Sequence, residues 1–235
     1  MPVLEQLLFT GLYTLLWGVL YFILGLFKHN EYFATPFQRI HWLSTFHYAM
    51  ITPLIVISYF LEPPPFGYDL PPSPFLQHVM MMITGFYLVG IIHSVSSKQE
   101  DKTGIIHHIA FGATIIILLT WGNFPRFWMW VMVAQFPGIL FHSMLALRKT
   151  PSVSPLFNLK LEKIHLWMYI LFRKVYQTLF AVYLFYIDLK LGVSTNFVLL
   201  GLVLPVMATS FILNMIWLKQ AIVHLKKEQL KLGHT

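Results

Sequence analysis

Seven stretches of roughly 18–30 residues, each almost free of charge, follow one another along this chain with only short polar or proline-bearing pieces between them. Uninterrupted apolar runs of that length are what a helix needs to cross a bilayer, and a soluble helix would alternate its faces instead. The runs cover about residues 4–27, 40–61, 75–93, 104–121, 126–147, 164–187 and 194–223. Composition agrees: 57% of the 235 residues are hydrophobic and only 11% are charged. A soluble domain carries about 25% charged residues, so this chain could not coat a water-facing surface. A soluble enzyme, a nucleic-acid-binding domain and a disordered chain are excluded. The expected fold class is an all-α polytopic membrane bundle with seven transmembrane helices. The first run carries no cleavage-site or transit-peptide pattern and reads as a true span. With no cysteine, disulfides, thiolate catalysis and cysteine-based metal sites are also excluded.

The basic residues supply a topology. With seven crossings and the C-terminus on one face, that face receives Lys28, Arg39, Lys98, Lys102, Arg148, Lys149, Lys160, Lys163, Lys226, Lys227 and Lys231. The opposite face receives only Arg126 and Lys190. The positive-inside rule then puts the C-terminus in the cytosol or the mitochondrial matrix. The expected location is an endoplasmic-reticulum or other endomembrane, or the mitochondrial inner membrane. The net charge of +7 is a matter of membrane topology, and no nucleic-acid partner is expected.

Eleven histidines are many for a membrane chain, and most fall toward the positively flanked face: His41, His47, His93, His107, His108, His142, His165 and His224, with only His78 at the other end of a span. Gln135, Gly138 and His142 are spaced to share one helical face, and Tyr169, Arg173 and Gln177 form a second polar stripe at intervals of four. Arg173 falls near mid-membrane, with Lys174 beside it, and the acidic residues all take terminal, loop or end positions, Glu5 at the very start of the first run included. Such a guanidinium is satisfied by carbonyls, amides such as Gln135 or Asn214, water, or a bound anion. His107 and His108 are about 100° apart on a helix, so one can face the bundle while the other braces a neighbour. Histidine boxes of di-iron desaturases are absent. A lone His78 at one depth argues against two haems, leaving a single haem open.

The middle and end of the chain resemble the TLC-domain family, which includes ceramide synthases and non-catalytic lipid-homeostasis members. The resemblance rests on FQRIHWLSTFHYAM at 37–50, DKTGIIHHI at 101–109, QFPGILFHSMLAL at 135–147 and the Phe172–Arg173 pair. It implies a first helix and linker over 1–36, a TLC-like six-helix bundle over 37–225 and a basic tail over 226–235. It also implies a lipid or fatty-acyl ligand. Arg173, Gln135, His142, Tyr169, Gln177 and Asn214 are the candidate lipid-binding residues. His107 and His108 are the candidate catalytic residues if the chain is an enzyme. Ceramide synthases carry acidic residues on the helix after the histidine pair, where this chain has Gln135 and His142. An imidazole base without that carboxylate lacks its orienting partner, which favours lipid binding over N-acyl transfer. No metal or cofactor beyond a bound lipid is expected. The expected partners are membrane lipids, with a non-catalytic place in a larger membrane complex as an alternative role.

Overall fold

The computed structural model describes residues 1–61, 73–97, 102–121, 135–190, 204–231 and 233, and among these it is helical with no strand. The helices are α1 (Val3–Leu26), α2 (Pro36–Leu61), α3 (Pro74–Ser97), α4 (Lys102–Trp121), α5 (Gly138–Leu147), α6 (Pro155–Tyr169), a π-helical stretch (Ile170–Tyr176), α7 (Gln177–Lys190) and α8 (Leu204–Lys231).

Their starts are written locally. Thr35 and Gln38 form a capping box before α2: Thr35 Oγ1 accepts from the Gln38 amide at 3.1 Å, and Gln38 Oε1 accepts from the Thr35 amide at 3.0 Å. Ser73 caps α3 by accepting from Leu76 N, and Ser154 caps α6 by accepting from Phe157 N. Proline opens α2, α3 and α6, where its missing N–H costs nothing. Inside the helices, hydroxyls turn back on their own backbone. Thr10, Ser44, Thr45, Ser58, Thr84, Ser94, Thr114 and Ser143 each donate to the carbonyl four residues earlier, as an apolar surrounding demands.

Helix α3 is the centre. It packs on α1, α2 and α4, while α2 also packs along α5. The innermost side chains are Trp17, Leu43, Ile51, Leu76, Met80, Met81, Ile83, Tyr87 and Ile115. Gly85 permits the close approach of α1, because a Cβ there would lie 2.8 Å from Thr14 N and 2.9 Å from Tyr13 Cβ. The second half is thinner: α6 rests on α5, and α8 lies against α4, α6 and the π-helical stretch. Helix α7 leaves Leu179, Val182, Phe185, Tyr186 and Leu189 exposed, and α1 leaves Leu4, Leu8, Leu15 and Phe22 exposed, so much of the outside is apolar. Gln38 reaches Thr150, Tyr32 reaches Ser152, and Glu31 accepts from Ser152 N at one end of the bundle; Met1 N donates to Gln77 at the other.

Among the described residues, four helical segments are long and apolar enough to cross a membrane: Val3–Leu26, Pro36–Ser58, Pro74–Ser97 and Pro205–Lys231. Ile105–Ile117 and Gly138–Leu147 are apolar but shorter. Several boundaries differ from the sequence expectation. The sixth run begins at Pro155 rather than 164, because Ser154 and Pro155 are a start signal that hydropathy does not register. Residues 155–163 are therefore helix, and the connection before them is only 148–154. Helix α8 continues through Lys231, carrying helical structure into the segment read as a tail. The expected fifth run is described only from Gln135, which with Phe136 and Pro137 forms a turn before α5. Its earlier part, the start of the seventh run and the proline-rich 62–72 connection lie outside the described residues.

Candidate functional site

The stripe Tyr169–Arg173–Gln177 passes through the π-helical stretch, and all three residues meet Asn214 of α8. Tyr169 Oη donates toward Asn214 Oδ1 at 3.0 Å and the Asn214 carbonyl at 3.1 Å. Arg173 Nη1 donates to Asn214 Oδ1 at 3.4 Å, and Asn214 Nδ2 donates to Gln177 Oε1 at 3.1 Å. Tyr169, Gln177 and Asn214 are buried, whereas Arg173 is half-buried. The guanidinium carbon lies 5.3 Å from the centre of the Tyr169 ring and 5.9 Å from that of Trp217, within cation–π range. Four of the six expected lipid-binding residues thus form one bonded group. A π-helical stretch inside an α-helix is uncommon and recurs at functional positions.

The other two lie on the α5 side. Gln135 sits in the turn before α5 rather than on its face, and its Nε2 donates to Tyr87 Oη at 3.2 Å. His142 pairs through Nδ1 with His41 Nδ1 at 2.9 Å and stacks on the Tyr48 ring at 5.2 Å. Gly138 makes room for that tyrosine: a Cβ there would come within 2.7 Å of the ring.

The rings of the adjacent histidines of α4 lie 5.7 Å apart, and both stand against Tyr87 of α3. His107 packs on Phe111 and edge-on to Trp217, at 4.5 and 5.2 Å between ring centres. His108 stacks on Tyr87 at 5.3 Å and lies over Gly90, where a Cβ would meet its ring at 2.8 Å. Trp217 thereby joins His107 to Arg173. The aromatic and imidazole rings form one continuous band across α2, α3, α4, α5, α6 and α8.

Some functional-looking groups were not singled out from sequence. His41 is the partner of His142, and Tyr87 is the acceptor for Gln135. His47 is fully buried. It lies parallel to Phe86 at 3.9 Å and edge-on to Trp17 at 5.0 Å, and neither ring nitrogen has a hydrogen-bond partner among the described residues. Gln135 Oε1 is likewise buried without one. Each such atom costs about 1–3 kcal/mol if left dry. Near the basic end, buried Glu162 accepts from Arg148 Nη2 at 2.7 Å, with His224 Nε2 at 3.4 Å, tying the end of α5 to α6 and α8. Hydropathy placed Glu162 in a loop; the Ser154 cap puts it on a helix instead.

Among the described residues, no three His, Asp or Glu side chains are arranged to hold a metal ion. No family model matches this sequence, and no curated protein or solved structure matches it either.

Proposed function

We propose that this chain is a seven-crossing membrane protein of TLC-like architecture that binds an amphipathic lipid or fatty-acyl group and serves lipid homeostasis. The observation that carries the reading is the Arg173 guanidinium, half-buried within a π-helical stretch and held by Asn214 Oδ1 and the faces of Tyr169 and Trp217. A guanidinium presents its N–H donors in a planar fork that suits a carboxylate or phosphate headgroup. Lys174 beside it encloses an ammonium that has no hydrogen-bond partner among the described residues, adding a second positive charge. The exposed apolar side chains on the stretch and just after it, Leu171, Val175 and Leu179, offer a surface for the acyl chain. Positively flanked ends support a C-terminus on the cytosolic or matrix side of an endomembrane or mitochondrial inner membrane.

The test is native mass spectrometry with lipid analysis of the protein purified in mild detergent. Wild type is expected to retain an anionic or fatty-acyl lipid, Arg173→Lys to retain less, and Arg173→Ala to lose it with helical content unchanged. An identical lipid complement in wild type and Arg173→Ala overturns the proposal. Acyl-CoA turnover abolished by His107→Ala or His108→Ala would instead make the chain a transferase.

A further inference from the structure

The strongest feature outside the Arg173 group is the polar interior where α2, α3, α4 and the start of α5 meet. His47 is fully enclosed, and neither of its ring nitrogens meets a hydrogen-bond partner among the described residues. A neutral imidazole always presents one donor and one acceptor. An edge-on N–H contact to the Trp17 ring would engage one nitrogen and leave the other. Gln135 adds a second demand. Its Nε2 serves Tyr87 Oη while its buried Oε1 has no partner. Turning the amide over exchanges the two ends without satisfying both, so the deficit survives either orientation.

These groups belong to one neighbourhood. His47 stacks on Phe86, whose ring neighbours that of Tyr87 at 6.3 Å; His108 stacks on Tyr87; Tyr87 is bonded to Gln135. His142 is turned toward His41 and Tyr48, the residue after His47. The walls are aromatic (Trp17, Tyr48, Phe86), and no carboxylate or permanently charged side chain is among the groups just named. Enclosed groups of mixed donor and acceptor character without formal charge call for a guest that can both give and accept a hydrogen bond while staying neutral.

We infer that the fully enclosed His47 imidazole, together with Gln135 beside Tyr87, forms a second internal site that takes a neutral hydroxyl group. That hydroxyl is either an internal water or the alcohol end of a membrane lipid such as a diacylglycerol. Buried polar cavities routinely hold water on two to four partners, and an alcohol offers the same donor and acceptor. The site lies on different helices from the Arg173–Asn214 group and does not depend on an anionic ligand there.

The experiment is nitrogen-15 magnetic resonance of histidine-labelled protein in lipid nanodiscs, with His47 assigned by the disappearance of its signals in His47→Gln. The inference requires His47 ring nitrogens displaced from the positions of an unbonded neutral imidazole. Magnetisation transfer from water to His47 identifies water as the guest. Displacement that appears or changes on adding dioleoylglycerol, and not on adding its 3-O-methyl ether, identifies a lipid alcohol. Unbonded nitrogen positions that neither addition changes overturn the inference. Repeating the measurement on Arg173→Ala separates the two sites: His47 signals that keep their positions there, whatever happens to the anionic lipid, show that the sites stand or fall independently.

Discussion

Two polar groups sit inside this bundle, and they are built on opposite terms. Around Asn214, the amide, phenol and guanidinium groups of α6, the π-helical stretch, α7 and α8 meet one another's donors and acceptors. Around His47, equally polar atoms are enclosed by aromatic rings with no such exchange. The first arrangement is a joint between helices that also fixes a cation; removing a member leaves the others stranded. The second resembles a socket, in which the polar residue itself is the local cost. Burial alone does not separate the two, since Gln177, Asn214 and His47 are all almost fully enclosed. Bonding does.

The largest expected effect tests the joint. Asn214→Leu removes the side-chain acceptor shared by Tyr169 and Arg173 and the donor to Gln177 in a single change, leaving Tyr169 only the carbonyl of residue 214. Interhelical hydrogen bonds in membrane proteins average about 0.6 kcal/mol and reach about 1.7, so losing this set should cost about 2–3 kcal/mol. A clear fall in melting temperature in detergent is the expected reading. A melting temperature equal to wild type would mean that Asn214 is a bystander.

The next tests the ring band from the packing side. Gly138→Ala puts a methyl group 2.7 Å from the Tyr48 ring, which is stacked on His142, so the ring must move or α5 must retreat from α2. Overpacking of this kind costs about 1–3 kcal/mol. Thermal unfolding measures it, and Gly112→Ala is the control, because its nearest neighbour lies at ordinary contact distance, 3.8 Å. The contrast between these two glycines should therefore be about 1–3 kcal/mol. Tyr169→Phe asks less. It deletes one hydroxyl from the joint and keeps the ring under Arg173, for an expected loss of about 0.5–1.5 kcal/mol.

How much of this was readable in the chain depends on the range of the signal. The stripe Tyr169–Arg173–Gln177 was legible because intervals of four survive even a local change of helical pitch, and Asn214 stood out as an amide in an apolar run. The start of α6 at Pro155 was also written, in Ser154–Pro155, but in capping chemistry that a hydropathy scan passes over. Pairings between distant segments were not legible. His41 meeting His142 is a relation across 101 residues, set by the packing of α2 on α5, and nothing near either residue announces it. The same holds for Gln135 and Tyr87. Conversely, the spacing of Gln135, Gly138 and His142 suggested a shared helical face, but Pro137 holds Gln135 in a turn ahead of the helix.

The smallest expected change is the one that best separates joint from socket. His47→Phe keeps an aromatic ring of similar size between Phe86 and Trp17 and deletes both ring nitrogens. Replacing an unsatisfied polar side chain by an apolar one of the same shape is close to neutral or stabilising, so delipidated protein should stay within about 1 kcal/mol of wild type. That is the opposite of the expectation for Asn214→Leu, although His47 is as enclosed as Asn214. A loss as large as that of Asn214→Leu would show that His47 is bonded even without lipid, to a neighbouring group or to an enclosed water. A near-zero change in delipidated protein that becomes a deficit when lipid is restored would place the stabilisation in the guest rather than in the protein's own contacts, because a ligand that binds only the folded state raises stability through its own binding.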